Sequence, residues 1–191
     1  DDPRHVLHHD LRVALHRVEI VRPERHEEGV PPRELDEAAK RAKRSVLGTG
    51  INPGFLMDYL PSVLTGVCRR IDSIEVERIQ DAMPRRLPFQ LKIGSGLSVK
   101  EFQERVAVDS IGHRGLPESV ELLAQALNMQ LDEVTESIEP VLSEEDFAID
   151  GIEVHAGGVC GVKQVGIGHL DGAPKLTLRF IAALKQADIG V

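Results

Sequence analysis

The last third of the chain constrains the fold most. Val159 to Leu170 and the run that carries Leu176, Leu178, Phe180, Ala182 and Leu184 are two apolar stretches joined by Asp171-Gly172. Asp-Gly between such runs signals a tight hairpin, because both residues tolerate the left-handed backbone that the turn needs. A long hairpin is therefore expected, with those five residues on one face, after a short strand at Ile152 to His155. Gly158, Gly161, Gly166 and Gly168 fall along its first strand. They are expected to thin the outer surface and admit another backbone, such as a second copy of the chain.

Upstream, Ile71 to Ile79 alternates, with Ile74 and Val76 on one face and Ser73, Glu75 and Glu77 on the other, the pattern of a strand covered on one side. Ser98 and Glu101 form a capping box opening a helix that ends near Asp109, with Phe102, Val106 and Val108 partly inward. Gly112-His113-Arg114-Gly115 leads to Pro117 and a second helix, packed by Leu116, Val120, Leu123, Ala124 and Leu127 and stopped at Asn128. Glu118 to Glu153 contains no Lys or Arg. It reads as a solvated acidic face with an apolar side of Leu131, Val134, Ile138, Val141 and Leu142. These elements predict an α+β domain, a mixed and mostly antiparallel sheet of about four to six strands with helices packed on one face.

A second organising stretch is Ser45-Val46-Leu47-Gly48-Thr49-Gly50-Ile51-Asn52-Pro53-Gly54-Phe55. Glu34 to Arg44 reads as a helix, Ser45 to Leu47 as a short strand, and Asn52-Pro53 as the N-cap and first residue of the next helix. That helix presents Phe55, Leu56, Tyr59, Leu60, Val63, Leu64, Val67 and Cys68 on one continuous apolar face, which is expected in the core, with a kink at Pro61. Gly48, Gly50 and Gly54 either let a ligand approach the helix N-terminus or only form a tight turn. Their spacing is one residue longer than a dinucleotide fingerprint.

Composition removes several classes of function. Only 3% of the residues are aromatic, none is Trp, and the formal net charge is −8, so neither stacking platforms nor a phosphate-binding surface for nucleic acid is expected. Cys68 and Cys160 give no disulfide framework, and no apolar run is long enough to span a bilayer, so no membrane partner and a cytoplasmic location are expected. His5, His9 and His16 could share a helical face, but no carboxylate completes a site and no metal is assigned.

The motifs Gly48-Thr49-Gly50-Ile51-Asn52-Pro53-Gly54-Phe55, Leu64-Thr65-Gly66-Val67-Cys68 and Ile93-Gly94-Ser95-Gly96-Leu97 occur in order. With Gly112-His113-Arg114-Gly115-Leu116-Pro117-Glu118-Ser119, Ile138-Glu139-Pro140-Val141 and Gly158-Val159-Cys160-Gly161-Val162, the series resembles the 2,4-diaminopentanoate dehydrogenase branch of the dihydrodipicolinate-reductase-like oxidoreductases. The resemblance implies a C-terminal, substrate-binding and oligomerising domain over residues 33–191, truncated at its end, behind a poorly defined segment 1–32. It implies a Rossmann domain ahead of it, which is not visible here, so the chain alone is expected to be inactive. It also implies NAD or NADP as cofactor, contacted through Thr49, Gly50, Asn52 and Gly54.

By the same resemblance, a small amino or imino substrate would meet Arg86, Gly96 and Glu118, with His113 and Asp81 catalytic, and the open sheet would form a homo-oligomer. The His pair and Lys of true dihydrodipicolinate reductases are replaced by Gln80-Asp81-Ala82 and Arg85-Arg86. An Asp at a strand end suits a substrate ammonium, and His113 a proton carrier or a polar pocket wall. Dihydrodipicolinate reduction itself, or a non-catalytic assembly module that kept the domain, are the alternatives.

Overall fold

The hairpin forms where Asp171 (φ 55°) and Gly172 (φ 71°) take the left-handed backbone of a primed turn, joining β5 (Val159–Leu170) to β6 (Ala173–Ala183). The computed structural model describes residues 32–46, 50 and 54–185, and the chain divides into two units, residues 1–47 and 48–191. In the first, α1 (Pro32–Ala42) starts at a proline and carries Arg33–Glu37 and Lys40–Asp36 pairs at one-turn spacing, 3.2 and 2.6 Å long. Arg44 to Val46 forms no strand, contrary to the expectation for Ser45 to Leu47, since its backbone enters no ladder among the described residues. Leu47 lies outside those residues.

In the second unit, β2 (Glu133–Leu142) runs antiparallel to β5, and β1 (Ile74–Asp81) runs parallel to β6, giving the order β1-β6-β5-β2. A separate two-stranded ladder pairs β3 (Phe147–Ile149) with β4 (Ile152–Val154). The fold is the α+β, mixed and mostly antiparallel arrangement that the sequence predicts. Glu133 to Leu142 is a strand despite its helix-like apolar spacing. Its alternate residues Val134, Ile138 and Pro140 fall in register with Gly168, Gln164 and Val162 of β5.

Leu176, Leu178, Phe180 and Ala182 are fully buried on one face of β6. Register places Ile74, Val76, Arg78 and Gln80 beside them on β1. This face is covered by α5 (Leu116–Ala126), which buries Leu116, Val120, Leu123 and Ala124 against the sheet. Gly166 and Gly168 belong to this covered face and not to the outer one. A Cβ at Gly166 would stand 3.2 Å from Leu116 and Val120, and one at Gly168 would stand 2.6 Å from Leu131. The glycines therefore lower α5 onto the sheet rather than opening the surface to another chain. Gly161 has no room for a Cβ for another reason, since it would meet the Ala182 carbonyl oxygen of the neighbouring strand at 2.2 Å.

The apolar segment after the Gly-rich turn departs further from expectation. It is not one kinked helix but a π-helical turn (Phe55–Tyr59), α2 (Leu60–Leu64) and a 3₁₀ turn (Thr65–Val67). The buried residues are Met57, Asp58 and Pro61, whereas Phe55, Tyr59 and Val67 are 50%, 60% and 91% exposed. Phe55 and Tyr59 stack on each other with ring centroids 6.0 Å apart. The π-helical turn rotates the chain off the regular period, so the predicted face points outward. Val108 is likewise 71% exposed, because α4 (Val99–Ala107) stops before it and Asp109 turns left-handed. The capping box stands as predicted, with the Ser98 hydroxyl accepting from the Glu101 N–H and the Glu101 carboxylate from the Ser98 N–H.

Candidate functional site

Extending the alternation of β1 past Ile74 and Val76 brings two polar residues, Arg78 and Gln80, onto the covered face. The Arg78 guanidinium lies 5.4 Å from the Phe180 ring centroid and donates to the Gln80 side-chain oxygen at 2.8 Å. From the other side, α3 (Leu87–Lys92) is tied to the end of β1 by Gln90. This buried amide donates to the carbonyls of Ala82 and Met83, and so sets Phe89 and Lys92 near the same corner.

His113 completes the cluster. Its ring meets Phe180 edge to face at 4.5 Å and stands 6.3 Å from Phe89. Its backbone is held by Gln164 of β5, whose side-chain oxygen accepts from the His113 N–H at 2.8 Å while its nitrogen donates to the His113 carbonyl at 2.7 Å. The same nitrogen donates to Glu136 of β2 at 2.7 Å, which fixes which way the amide points. Gly112 has φ 86°, and a Cβ there would come within 2.9 Å of the Gln164 oxygen. The glycine is what lets this clamp close.

The electrostatics are cationic and partly dry. Burial first, then Lys92 and Arg78, push the His113 pKa down to about 4, so the ring is neutral at neutral pH. Arg78 is itself held below its ordinary value by burial and then by Arg85, which lies 5.0 Å over the Phe89 ring. Among the described residues no carboxylate pairs with Arg78, Arg85 or Lys92. A cluster of like charges around a half-buried imidazole is an arrangement that an anionic group would stabilise.

The structure separates most of the residues singled out from sequence. Asp81 falls on the opposite parity of β1 from Arg78, is exposed, and accepts from the Met83 N–H at 2.9 Å to shape the turn. Arg86 is the exposed N-cap of α3, and Glu118 is exposed in the first turn of α5. Gly96 donates to the Val159 carbonyl and borders a groove of about 390 Å³ with Ser98, Glu101 and His155, a lining that does not include His113. Of these residues only His113 stands in the cationic cluster. Arg78, Gln80, Lys92 and Gln164 were not singled out as site residues, although Arg78 and Gln164 carry a readable signal, a polar side chain in phase with an apolar strand face.

The Gly-rich turn is seen from Gly50 and Gly54, since Thr49 and Asn52 lie outside the described residues. The Phe55 N–H donates to the Gly50 carbonyl at 2.9 Å, and a Cβ on Gly54 (φ 130°) would strike that same oxygen at 2.5 Å. These two glycines are engaged in closing the turn backbone on backbone. The Asp58 carboxylate accepts from the Gly54 N–H, so this donor is also taken. Gly48, Ile51 and Pro53 of the same turn also lie outside the described residues. Among the described residues no cluster of His, Cys, Asp and Glu is arranged to hold a metal, and no helix is long and apolar enough to cross a membrane.

The profile of the 2,4-diaminopentanoate dehydrogenase C-terminal domain matches residues 55–186. A curated 2,4-diaminopentanoate dehydrogenase from Acetoanaerobium sticklandii is 34% identical over 161 residues, covering 83% of this chain and 46% of the relative. The chain thus spans about half the length of that protein. An amine dehydrogenase structure from Mycobacterium smegmatis shares the fold at a TM-score of 0.67 and 18% identity, over 80% of this chain and 46% of that one. By its sequence and its fold, the chain belongs to the family of 2,4-diaminopentanoate dehydrogenase C-terminal domains.

Proposed function

We propose that this chain is the substrate-binding part of a nicotinamide-dependent dehydrogenase acting on the CH–NH2 or imine carbon of a small amino or imino acid. The observation that carries the reading is the set of cations beside His113, Arg78 and Lys92 with Arg85 behind them, which pair with no carboxylate among the described residues. The relatives are named as dehydrogenases, and the Acetoanaerobium protein is named for 2,4-diaminopentanoate, a compound with one carboxylate and two amino groups. In this reading the substrate carboxylate lies against Arg78 and Lys92, with Gln80 holding the guanidinium in place. Arg86, Gly96, Glu118 and Asp81 stay outside that contact.

His113 then serves as a polar wall and not as the base. Its pKa of about 4 lies roughly four units below that of an ordinary α-amino group, so the ring is too weak to take a proton from a substrate ammonium. A neutral imidazole can instead accept or donate one hydrogen bond to the amine and fix its orientation. NAD or NADP would supply the redox chemistry, and since Gly50 and Gly54 are engaged in the turn, its binding is assigned to the other half of the full-length protein.

The outer face of the sheet supports a homo-oligomer. Ile79, Val165 and Ile167 are half-exposed there, beside Glu77–Arg179 and Glu139–Lys163 pairs of 2.8 and 3.2 Å.

The test is to follow nicotinamide reduction by the full-length protein over a panel of amino acids and the matching amines that lack a carboxylate. Turnover with amino acids, and an Arg78→Met variant that raises their KM at least tenfold while leaving the amines within twofold, is the expected result. No turnover with either nicotinamide, or equal effects on acids and amines, would overturn the reading.

A further inference from the structure

One buried acidic side chain has no part in the site just described. Asp58 is 5% exposed, yet no cation pairs with it among the described residues. Its carboxylate is held by three donors. Oδ2 accepts from the Gly54 N–H at 3.0 Å and from the Ser119 hydroxyl at 2.7 Å, and Oδ1 accepts from the Tyr59 N–H at 2.5 Å. Burying a carboxylate without a cation beside it is costly unless such bonds are made, and these three donors offset that cost.

Two of the donors come from parts of the chain 65 residues apart, where Met57 also packs against the buried face of α5. Gly54 closes the Gly-rich turn, while Ser119 sits in the first full turn of α5, whose N-cap Gly115 comes two residues after His113. Ser119 is itself buried, so its hydroxyl is committed to the carboxylate and not to solvent. A single carboxylate oxygen shared by both donors fixes their separation more tightly than packing alone.

We propose that Asp58 is a positioning residue, a joint that sets the Gly50–Gly54 turn against the start of α5 and thereby against the His113 loop. The joint deepens the functional reading above and rests on it for its purpose, since the N-cap of the helix it holds comes two residues after His113. Its existence does not depend on that reading. Ser119→Ala cuts the joint with little change in volume, and Ser119→Thr restores the hydroxyl.

The experiment combines amide exchange and NMR with steady-state kinetics on the full-length protein that carries this chain. In Ser119→Ala, exchange at the Gly54 amide should rise at least tenfold and the His113 ring resonances should shift. Asp58→Asn should do the same, and the double variant should do no more than either single one. Ser119→Thr should return both signals. Where turnover is measurable, kcat should fall at least fivefold in Ser119→Ala, with the amino-acid KM within twofold. Unchanged Gly54 exchange and His113 signals in Ser119→Ala, or additive effects in the double variant, would overturn the joint. Absence of turnover in the unmodified protein would overturn the functional reading alone, because the exchange and resonance signals are read without substrate.

Discussion

The two glycine loops look alike in sequence and differ in what their glycines touch. At the first, Gly54 packs against the backbone of Gly50, and a buried carboxylate takes its N–H. At the second, Gly112 packs against the side-chain amide of Gln164, which holds His113 among cations. The helices that follow differ as well. α5 buries its apolar face on the sheet, whereas Phe55, Tyr59 and Val67 stay exposed after the first loop. A glycine in such a loop reports that something comes close, and only the fold says whether it is the chain itself or a functional group.

The largest effect separating the two regions is expected in those helices. Leu123→Ala on α5 should cost about 3 to 4 kcal/mol, a cavity in the core, while Val63→Ala after the first loop should stay within about 0.5 kcal/mol. Denaturant unfolding reads both, and similar losses would erase the contrast between a buried and an exposed face.

The loops themselves come next. Gly54→Ala should cost about 3 kcal/mol, since the new Cβ meets immovable backbone. Gly112→Ala should cost about half as much, because the end of the Gln164 side chain can shift. The reverse order would show that the second loop is the rigid one.

A smaller loss, about 1 kcal/mol, is expected for Gln164→Met, which removes the partner of both His113 backbone groups. Its more telling sign is spectroscopic. Released from its clamp, the His113 ring should titrate closer to the ordinary value near 6.5 than to about 4. A pKa that stays near 4 in this variant would assign the burial of His113 to its apolar neighbours and not to the clamp.

A pH effect distinguishes the second loop as well. The folded pKa of His113 lies below the unfolded one, so the unfolded chain binds the extra proton first. The resulting destabilisation is absent above about pH 6.5, grows as pH falls toward about 4, and is complete below that. A His113→Asn variant should therefore lose less stability than the unmodified protein between those values. Parallel pH curves for the two would remove His113 as the origin.

Much of this fold could be read from the residues because local and tertiary signals agree. The Asp171-Gly172 hairpin, the Ser98–Glu101 capping box and the face of Leu116, Val120 and Leu123 all lie as their patterns predict. The stripe from Phe55 to Val67 failed because periodicity shows that a face is apolar and says nothing about what covers it. Strand β2 was hidden because Leu131, Val134, Ile138 and Val141 mimic a helical repeat, and only the register with β5 shows the alternation.

The candidate site was half legible. His113 stands out as a histidine in a glycine loop, but Asp81 was chosen for its place at a strand end when the parity set by Ile74 and Val76 favours Arg78 and Gln80. The pairing of Gln164 with His113, from positions 51 residues apart, has no local trace.

The most direct test of the central claim, that the His113 corner holds a carboxylate, is an NMR titration of the His113 ring. The ligands are 2,4-diaminopentanoate and the matching diamine without its carboxylate. The acid alone should move the ring resonances in a saturable way and raise the His113 pKa from about 4, because its negative charge offsets Arg78 and Lys92. In Arg78→Met the response should weaken at least tenfold. An equal response to both ligands, or one that survives in Arg78→Met, would contradict the account.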